Sequence, residues 1–268
     1  MIPMADENPV RHIPWMTLAL ITACVVVYFA VQPGRDIKFS WNGIAESVSA
    51  QDLRFVVDHA GIPCELVKGR PLTEAEFRRT FDDGDTSACS NGGGPTHSPG
   101  KNVYLAALLT MFLHASIPHL FGNMLFLWVF GNNIEDHKGW WRFLLLYLVG
   151  GAVATASQVL IDPNSTVPII GASGAIAAVM GAYLVCYPKA RIKSMIFFGP
   201  MLLRKVTAAW LLILWFVLQF QYVLSDAGIA WGAHVGGFTF GVLVGLWWRL
   251  RERRSTAALP AAPAPVPA

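Results

Sequence analysis

The chain has 268 residues, of which 54% are hydrophobic and only 14% charged, with a mean hydropathy of +0.47 and a formal net charge of +3. Soluble domains carry about 25% charge, so the composition excludes an ordinary soluble domain. The small positive balance makes no electrostatic case for nucleic acid. Several runs reach about 18 apolar residues with hardly a charge, enough to span a bilayer. They predict an all-α membrane protein: a six-transmembrane helical bundle with a long loop between the first and second spans.

Residues 1–13 are polar and mixed in charge, and read as a cytoplasmic N-terminal segment. Residues 14–32 form the first span; no small-x-small cleavage site follows it, so it reads as a retained anchor. Residues 33–102 are charged and rich in Gly, Ser and Asp, and read as an extracytoplasmic loop or insertion without a catalytic constellation. Within it Thr73 precedes Glu76 at capping-box spacing, which predicts a short helix over 72–79. Cys64 and Cys89 both fall in this loop and are able to pair if it faces an oxidising compartment; the sequence leaves that open. Cys24 and Cys186 lie inside apolar runs and no C-x-x-C occurs, so no metal and no cofactor are expected.

Residues 103–113 are apolar but too short to cross, which suggests an interfacial or re-entrant helix. They open a core, residues 103–250, with spans at about 117–135, 140–161, 171–187, 206–224 and 229–248. Residues 194–203 make another short apolar piece, expected to lie at the membrane surface. Residues 251–268, ending in a Pro/Ala tract, read as a disordered cytoplasmic tail. Basic residues test the topology. With both termini cytoplasmic, Arg11, Lys138, Arg142, Lys189, Arg191, Lys193, Arg204, Lys205 and the arginines after 248 fall inside, while the short outside loops 162–168 and 225–228 hold none.

This topology sets depth. Ser173 stands between Gly171 and Gly174 in the first turn of the fourth span, where unsatisfied N–H groups and the helix dipole favour developing negative charge. His234 lies one to two turns into the sixth span, and His119 and Asn123 in the first turns of the second. At about 1.5 Å per residue all four sit roughly 3–10 Å below the outer ends of their helices. His119 and Asn123 are four apart and share a face. Gly237 and Gly241 give the sixth helix a G-x-x-x-G seam against which the Gly171–Gly174 face can pack closely. Singly, each residue has a structural use: a small residue at a seam, a histidine bonding a loop carbonyl, an asparagine joining helices. Jointly they supply a nucleophile, a base and hydrogen-bond donors at one depth.

Gly171-Ala172-Ser173-Gly174, His119-x-x-x-Asn123 and Ala233-His234-x-Gly236-Gly237 resemble the three signatures of the rhomboid intramembrane serine proteases. The resemblance covers about 103–250, and Phe130-Gly131-Asn132-Asn133-Ile134-Glu135-Asp136 matches the end of the family's second span. It implies Ser173 as nucleophile and His234 as general base, a dyad with no required acid. It implies an oxyanion site of His119, Asn123 and the Ser173 N–H, with His114 ordering water nearby. It also implies lateral substrate entry beside the fifth helix, where Trp215 and Phe216 would gate. The sequence departs from the family pattern at Val103-Tyr104-Leu105, where many members carry a Trp-Arg pair, and in the length of 33–102.

The expected activity is hydrolysis of peptide bonds in or near transmembrane segments by a Ser-His dyad. The partners are single-span membrane proteins and the lipid bilayer, with no nucleic acid; oligomeric state is left open. The expected location is the bacterial inner membrane, with the site toward the extracytoplasmic face. The alternative is a catalytically inactive rhomboid-like module that binds or chaperones membrane proteins, though such members typically lack the serine or the histidine. A transporter is disfavoured because no charge lies well inside a span and no inverted repeat is evident. A metalloprotease is disfavoured because no H-E-x-x-H occurs.

Overall fold

A computed structural model describes residues 1–33, 50–197, 201–223 and 230–257. A strand, β1 (Ile2–Asp6), leads into α1 (Trp15–Val26), which continues as a π-helical turn over Val27–Val31. The insertion contributes α2 (Ala50–His59), α3 (Pro63–Lys68) and α4 (Glu74–Phe81). The core runs α5 (Val103–Leu109), α6 (Ile117–Lys138), α7 (Trp140–Ile161), α8 (Ser173–Cys186), β2 (Arg191–Phe197), β3 (Met201–Thr207), α9 (Ala208–Gln219) and α10 (Trp231–Ala257). A 3-10 turn, Thr110–Phe112, extends α5, and another, Phe220–Val223, extends α9.

Local chemistry accounts for the helix ends. Ser116 caps α6, accepting the His119 N–H, with Pro118 in the first turn where no N–H is needed. Gly139, at φ 84°, breaks the chain between α6 and α7 in a conformation other residues resist. Glu135 of α6 caps a different helix: its carboxylate accepts the N–H groups of Met16 and Thr17 at 2.8 and 2.7 Å and the Thr17 hydroxyl at 2.7 Å. Those are orphan donors of α1's first turn, so the charge both satisfies them and meets the positive end of the helix dipole. At the far end of α1, Gln32 exchanges two 3.0 Å hydrogen bonds with the backbone of His114.

The centre is α8, buried from Gly174 to Tyr183. Six of its ten residues there are Gly or Ala, and α10 approaches so closely that a Cβ on Gly241 would stand 1.9 Å from the Ala178 carbonyl oxygen. Gly181 of α8 likewise faces the Phe238 carbonyl. Close packing of small residues is the usual means of helix association where the surrounding medium is as apolar as the side chains. Among the described residues α7, with 22 residues and an 18-residue stretch of mean hydropathy 1.9, is the one helix long and apolar enough to cross a membrane by length and composition. The apolar helices at Trp15–Val31, Val103–Phe112, Ser173–Cys186 and Ala208–Gln219 are shorter, and α10 is long but rich in Gly and Trp.

Three expectations need correction. The architecture is not all-α: β1, β2 and β3 form an antiparallel sheet in that order. Residues 194–197 and 201–203 are accordingly not a free surface piece but belong to the paired strands β2 and β3, with Arg191 opposite Thr207 and Phe197 opposite Met201; residues 198–200 lie outside the described residues. Ile192 and Ser194 are buried while Arg191 and Lys193 are exposed, a period of two; run length overlooks it because charges occupy the outward positions. Residues 251–257 are helical rather than disordered, since α10 continues to Ala257. Arg251, Glu252 and Arg253 are good helix formers, Glu252 pairs with Lys138 and Arg251 lies 4.6 Å over the Trp247 ring. Residues 258–268, and the outside loop expected at 225–228, lie outside the described residues.

The insertion has its own small core of Val57, Ile62, Cys64 and Leu72, with Phe77 and Phe81 against it. Thr73 and Glu76 close the capping box, and Cys64 and Cys89 form a disulfide. Burial alone would raise the pKa of Glu76, but Arg70, the Thr73 N–H and the N–H and hydroxyl of Ser90 all donate to it and hold it down to about 2.

Candidate active site

The insertion touches the loop that precedes α8. Ile169 donates its N–H to the Gly61 carbonyl at 2.8 Å, and Thr166 donates to Thr86 and Cys64 to Ser165, each at 2.9 Å. Thr110 joins the two sides: its hydroxyl accepts the Gly61 N–H at 2.7 Å and donates to the Ile169 carbonyl at 3.0 Å. Its own carbonyl accepts the Gly171 N–H at 3.1 Å. Gly171 has φ +124°, a conformation side chains rarely adopt. The space its Cβ would take already meets the Cε1–Nε2 edge of His119, at 2.9–3.0 Å. These bonds fix where α8 begins.

Ser173, at that start, directs its Oγ to His234 Nε2 of α10 at 2.7 Å. The Gly237–Gly174 contact one turn away allows this approach, since a Cβ on Gly237 would lie 2.2 Å from the Gly174 carbonyl oxygen. On the other side of the imidazole, Nδ1 lies 2.7 Å from Gln219 Oε1 of α9. The Trp215 ring is tilted against His234 at 5.7 Å between centroids.

His119 and Asn123 line the same cavity as Ser173 and His234, a space of about 640 Å³. His119 Nδ1 faces the Ala115 N–H at 3.4 Å, so Nδ1 is the accepting nitrogen and Nε2 carries the proton, on the edge toward Gly171. Asn123 donates one amide hydrogen to the His119 carbonyl at 3.0 Å, back along its own helix. All four residues singled out by the sequence thus meet at one cavity. His114 is fully buried with neither ring nitrogen partnered among the described residues, edge-on to His119 at 5.4 Å. Of the two residues expected beside an entry, Trp215 lines the cavity, whereas Phe216 stacks on Phe238 at 4.8 Å.

Sequence reasoning missed Gln219, Thr110 and Gln32. Gln219 carried a usable signal: an amide at the C-terminal end of an otherwise apolar helix. Thr110 and Gln32 bond backbone atoms of distant segments, which leaves no pattern in the chain.

The arrangement is a hydroxyl on a base, with an imidazole N–H and an amide close by, at the positive end of a helix. Residues 101–251 match the Rhomboid domain family. Presenilin-associated rhomboid-like protein A, mitochondrial, of Danio rerio is 33% identical over 166 residues, 57% of this chain and 41% of the relative. Rhomboid protein 1, mitochondrial, of Saccharomyces cerevisiae is 31% identical over 55% of this chain and 44% of its own length. Rhomboid protease GluP of Bacillus subtilis is 33% identical over 50% of this chain and 24% of its own length. The matched stretch therefore spans less than half of each of these relatives. With the family match covering more than half of its length, and the helices around α8 occupying that same stretch, this chain belongs to the rhomboid family of helical membrane proteins.

Proposed function

We propose that the chain is an intramembrane serine endopeptidase in which Ser173 is the nucleophile and His234 its general base. The observation that carries this reading is the 2.7 Å contact between Ser173 Oγ and His234 Nε2 across two helices. In the proposed cycle His234 takes the hydroxyl proton as Oγ attacks the scissile carbonyl. The tetrahedral oxyanion is held by the Nε2–H of His119, the Asn123 amide and the Ser173 N–H, each donor worth about 3–4 kcal/mol. His234 gives that proton to the leaving amine; it then takes a proton from a water that attacks the acyl-enzyme, and returns it to Ser173 Oγ as the acid product leaves. The name of the Bacillus subtilis relative, a rhomboid protease, supports the reaction class.

The substrates in this reading are single-span membrane proteins, opened near the outer end of their helix because an intact helix keeps its carbonyls bonded. α1, α6, α7, α8, α9 and α10 are the six spans, residues 103–250 the catalytic core and residues 1–13 a cytoplasmic segment. The basic residues concentrated in the inside segments support this orientation. The Cys64–Cys89 disulfide supports an oxidising compartment on the side of the site, as outside a bacterial inner membrane.

The test is cleavage of a tagged single-span substrate in liposomes by the native chain, Ser173→Ala and His234→Ala. Loss in both variants with folding intact is the expected result. Cleavage that survives Ser173→Ala would assign the nucleophile elsewhere. A folded native chain that binds but never cleaves would return the reading to a membrane-protein chaperone.

A further inference from the structure

Gln219 closes α9 and is 4% exposed, in a helix otherwise built of Ala, Leu, Ile, Val, Phe and Trp. Its Nε2 donates to the Trp215 carbonyl one turn back at 2.8 Å, and its Oε1 lies 2.7 Å from His234 Nδ1. A carbonyl can only accept, so the amide has one workable sense, nitrogen to Trp215 and oxygen to His234. The reverse sense would set two oxygens against each other at the distance of a hydrogen bond. An amide oxygen has no proton to give, so Nδ1 of His234 must carry one. A neutral imidazole has a single N–H, which leaves Nε2 bare and facing the Ser173 hydroxyl.

We propose that Gln219 is the positioning residue of this site, holding His234 in the tautomer whose Nε2 can take the serine proton. The proposal rests on the Ser173–His234 reading above and adds a third member to it. It assigns to a neutral amide the orienting task that a buried carboxylate performs in Ser-His-Asp sites, where the wrong tautomer lowers kcat by about 10⁴. A neutral acceptor suits this location, because a charge at membrane depth costs several kcal/mol unless paired. Gln219 touches no reacting atom; it acts through the imidazole alone.

The experiment compares the native chain with Gln219→Leu and Gln219→Glu, full length in liposomes, using the tagged single-span substrate and a fluorophosphonate that labels an activated serine. Leucine keeps the packing and removes the acceptor; glutamate, held neutral by burial with its proton on the oxygen that faces the Trp215 carbonyl, keeps an acceptor for Nδ1–H. We expect Gln219→Leu to lower kcat by about tenfold or more with KM within about twofold, and Gln219→Glu to stay within about threefold of native. A purely structural Gln219 predicts the opposite order, since a carboxylate in an apolar helix disturbs packing more than leucine does. Equal or better turnover by the folded leucine variant would overturn the proposal. If either variant fails to fold, the ¹⁵N resonances of His234 in the native chain decide: a protonated Nδ1 and bare Nε2 support it, and the reverse overturns it. A native chain that fluorophosphonate leaves unlabelled would sink the serine-protease reading and this proposal with it. Native labelling at Ser173 with unchanged labelling of the leucine variant would sink the proposal alone.

Discussion

Gly237→Ala adds one methyl group at a close approach of α8 and α10, three residues from His234 and against Gly174, the neighbour of Ser173. The new Cβ would stand 2.2 Å from the Gly174 carbonyl oxygen, where ordinary contact begins at 3.4 Å, so the helices must part by about 1.2 Å. That oxygen is a backbone atom, and no side-chain rotation relieves the clash. Overpacking of this kind costs about 1–3 kcal/mol, which the folded chain can survive. The dyad cannot keep its geometry: a 2.7 Å contact between Ser173 Oγ and His234 Nε2 opened by that amount reaches about 3.9 Å, beyond hydrogen-bond range. Misplacement by about 1 Å lowers rates by about a hundredfold. The assay is the rate of Ser173 labelling by fluorophosphonate alongside a thermal melt, with Gly100→Ala as control because no atom lies within 4 Å of its Cβ position. Native labelling by a folded Gly237→Ala variant would refute the claim that helix spacing sets the dyad.

Removing the disulfide with Cys64→Ser and Cys89→Ser frees a segment whose cysteines are 25 residues apart, and should lower the stability of the insertion by about 3.5 kcal/mol, read as faster limited proteolysis within 50–102. Thr110→Val removes the hydroxyl that bridges Gly61 and Ile169. It leaves two buried backbone groups unpaired at about 1–3 kcal/mol each, so hydrogen exchange should rise in the loop ahead of Ser173. Glu76 has its pKa depressed from 4.5 to about 2 in the folded insertion, so its stabilisation, about 3 kcal/mol, is full above pH 4.5 and is lost as pH falls toward 2. Glu76→Gln should flatten the acid dependence of insertion unfolding in that window; an unchanged acid limb would remove Glu76 from the account. Replacing the Gly, Ala, Ser or Pro residues near the outer end of a substrate span with leucine should suppress its cleavage, and undiminished cleavage would argue against unwinding before attack.

That Ser173, His234, His119 and Asn123 come together at one cavity was legible in the chain, because polar groups in apolar helices are costly unless they find partners. Helix spacing then fixed which of them could share a face. Gln219 was harder to read, because a polar residue at the end of an apolar run also marks a span boundary, and only α9's packing on α10 turns it toward His234. The sheet escaped notice because its outward positions are Arg191 and Lys193, which read as topology signals. The clamp of the insertion on residues 165–171 is made largely by backbone groups, which every residue carries. The capping box at Thr73 and Glu76, by contrast, is a side-chain signature and was recoverable from spacing alone.

The two fastenings of α1 have a consequence for assembly. One end is held by Glu135 through Met16 and Thr17, the other by Gln32 through His114, and none of these contacts depends on the covalent link from residue 33 onward. The first helix is therefore a docked part, addressed to its seat by hydrogen bonds at both ends. Supplied as a separate peptide, residues 1–33 should find residues 34–268 in the same bilayer and complete the bundle, which makes the chain suited to expression in two complementing pieces.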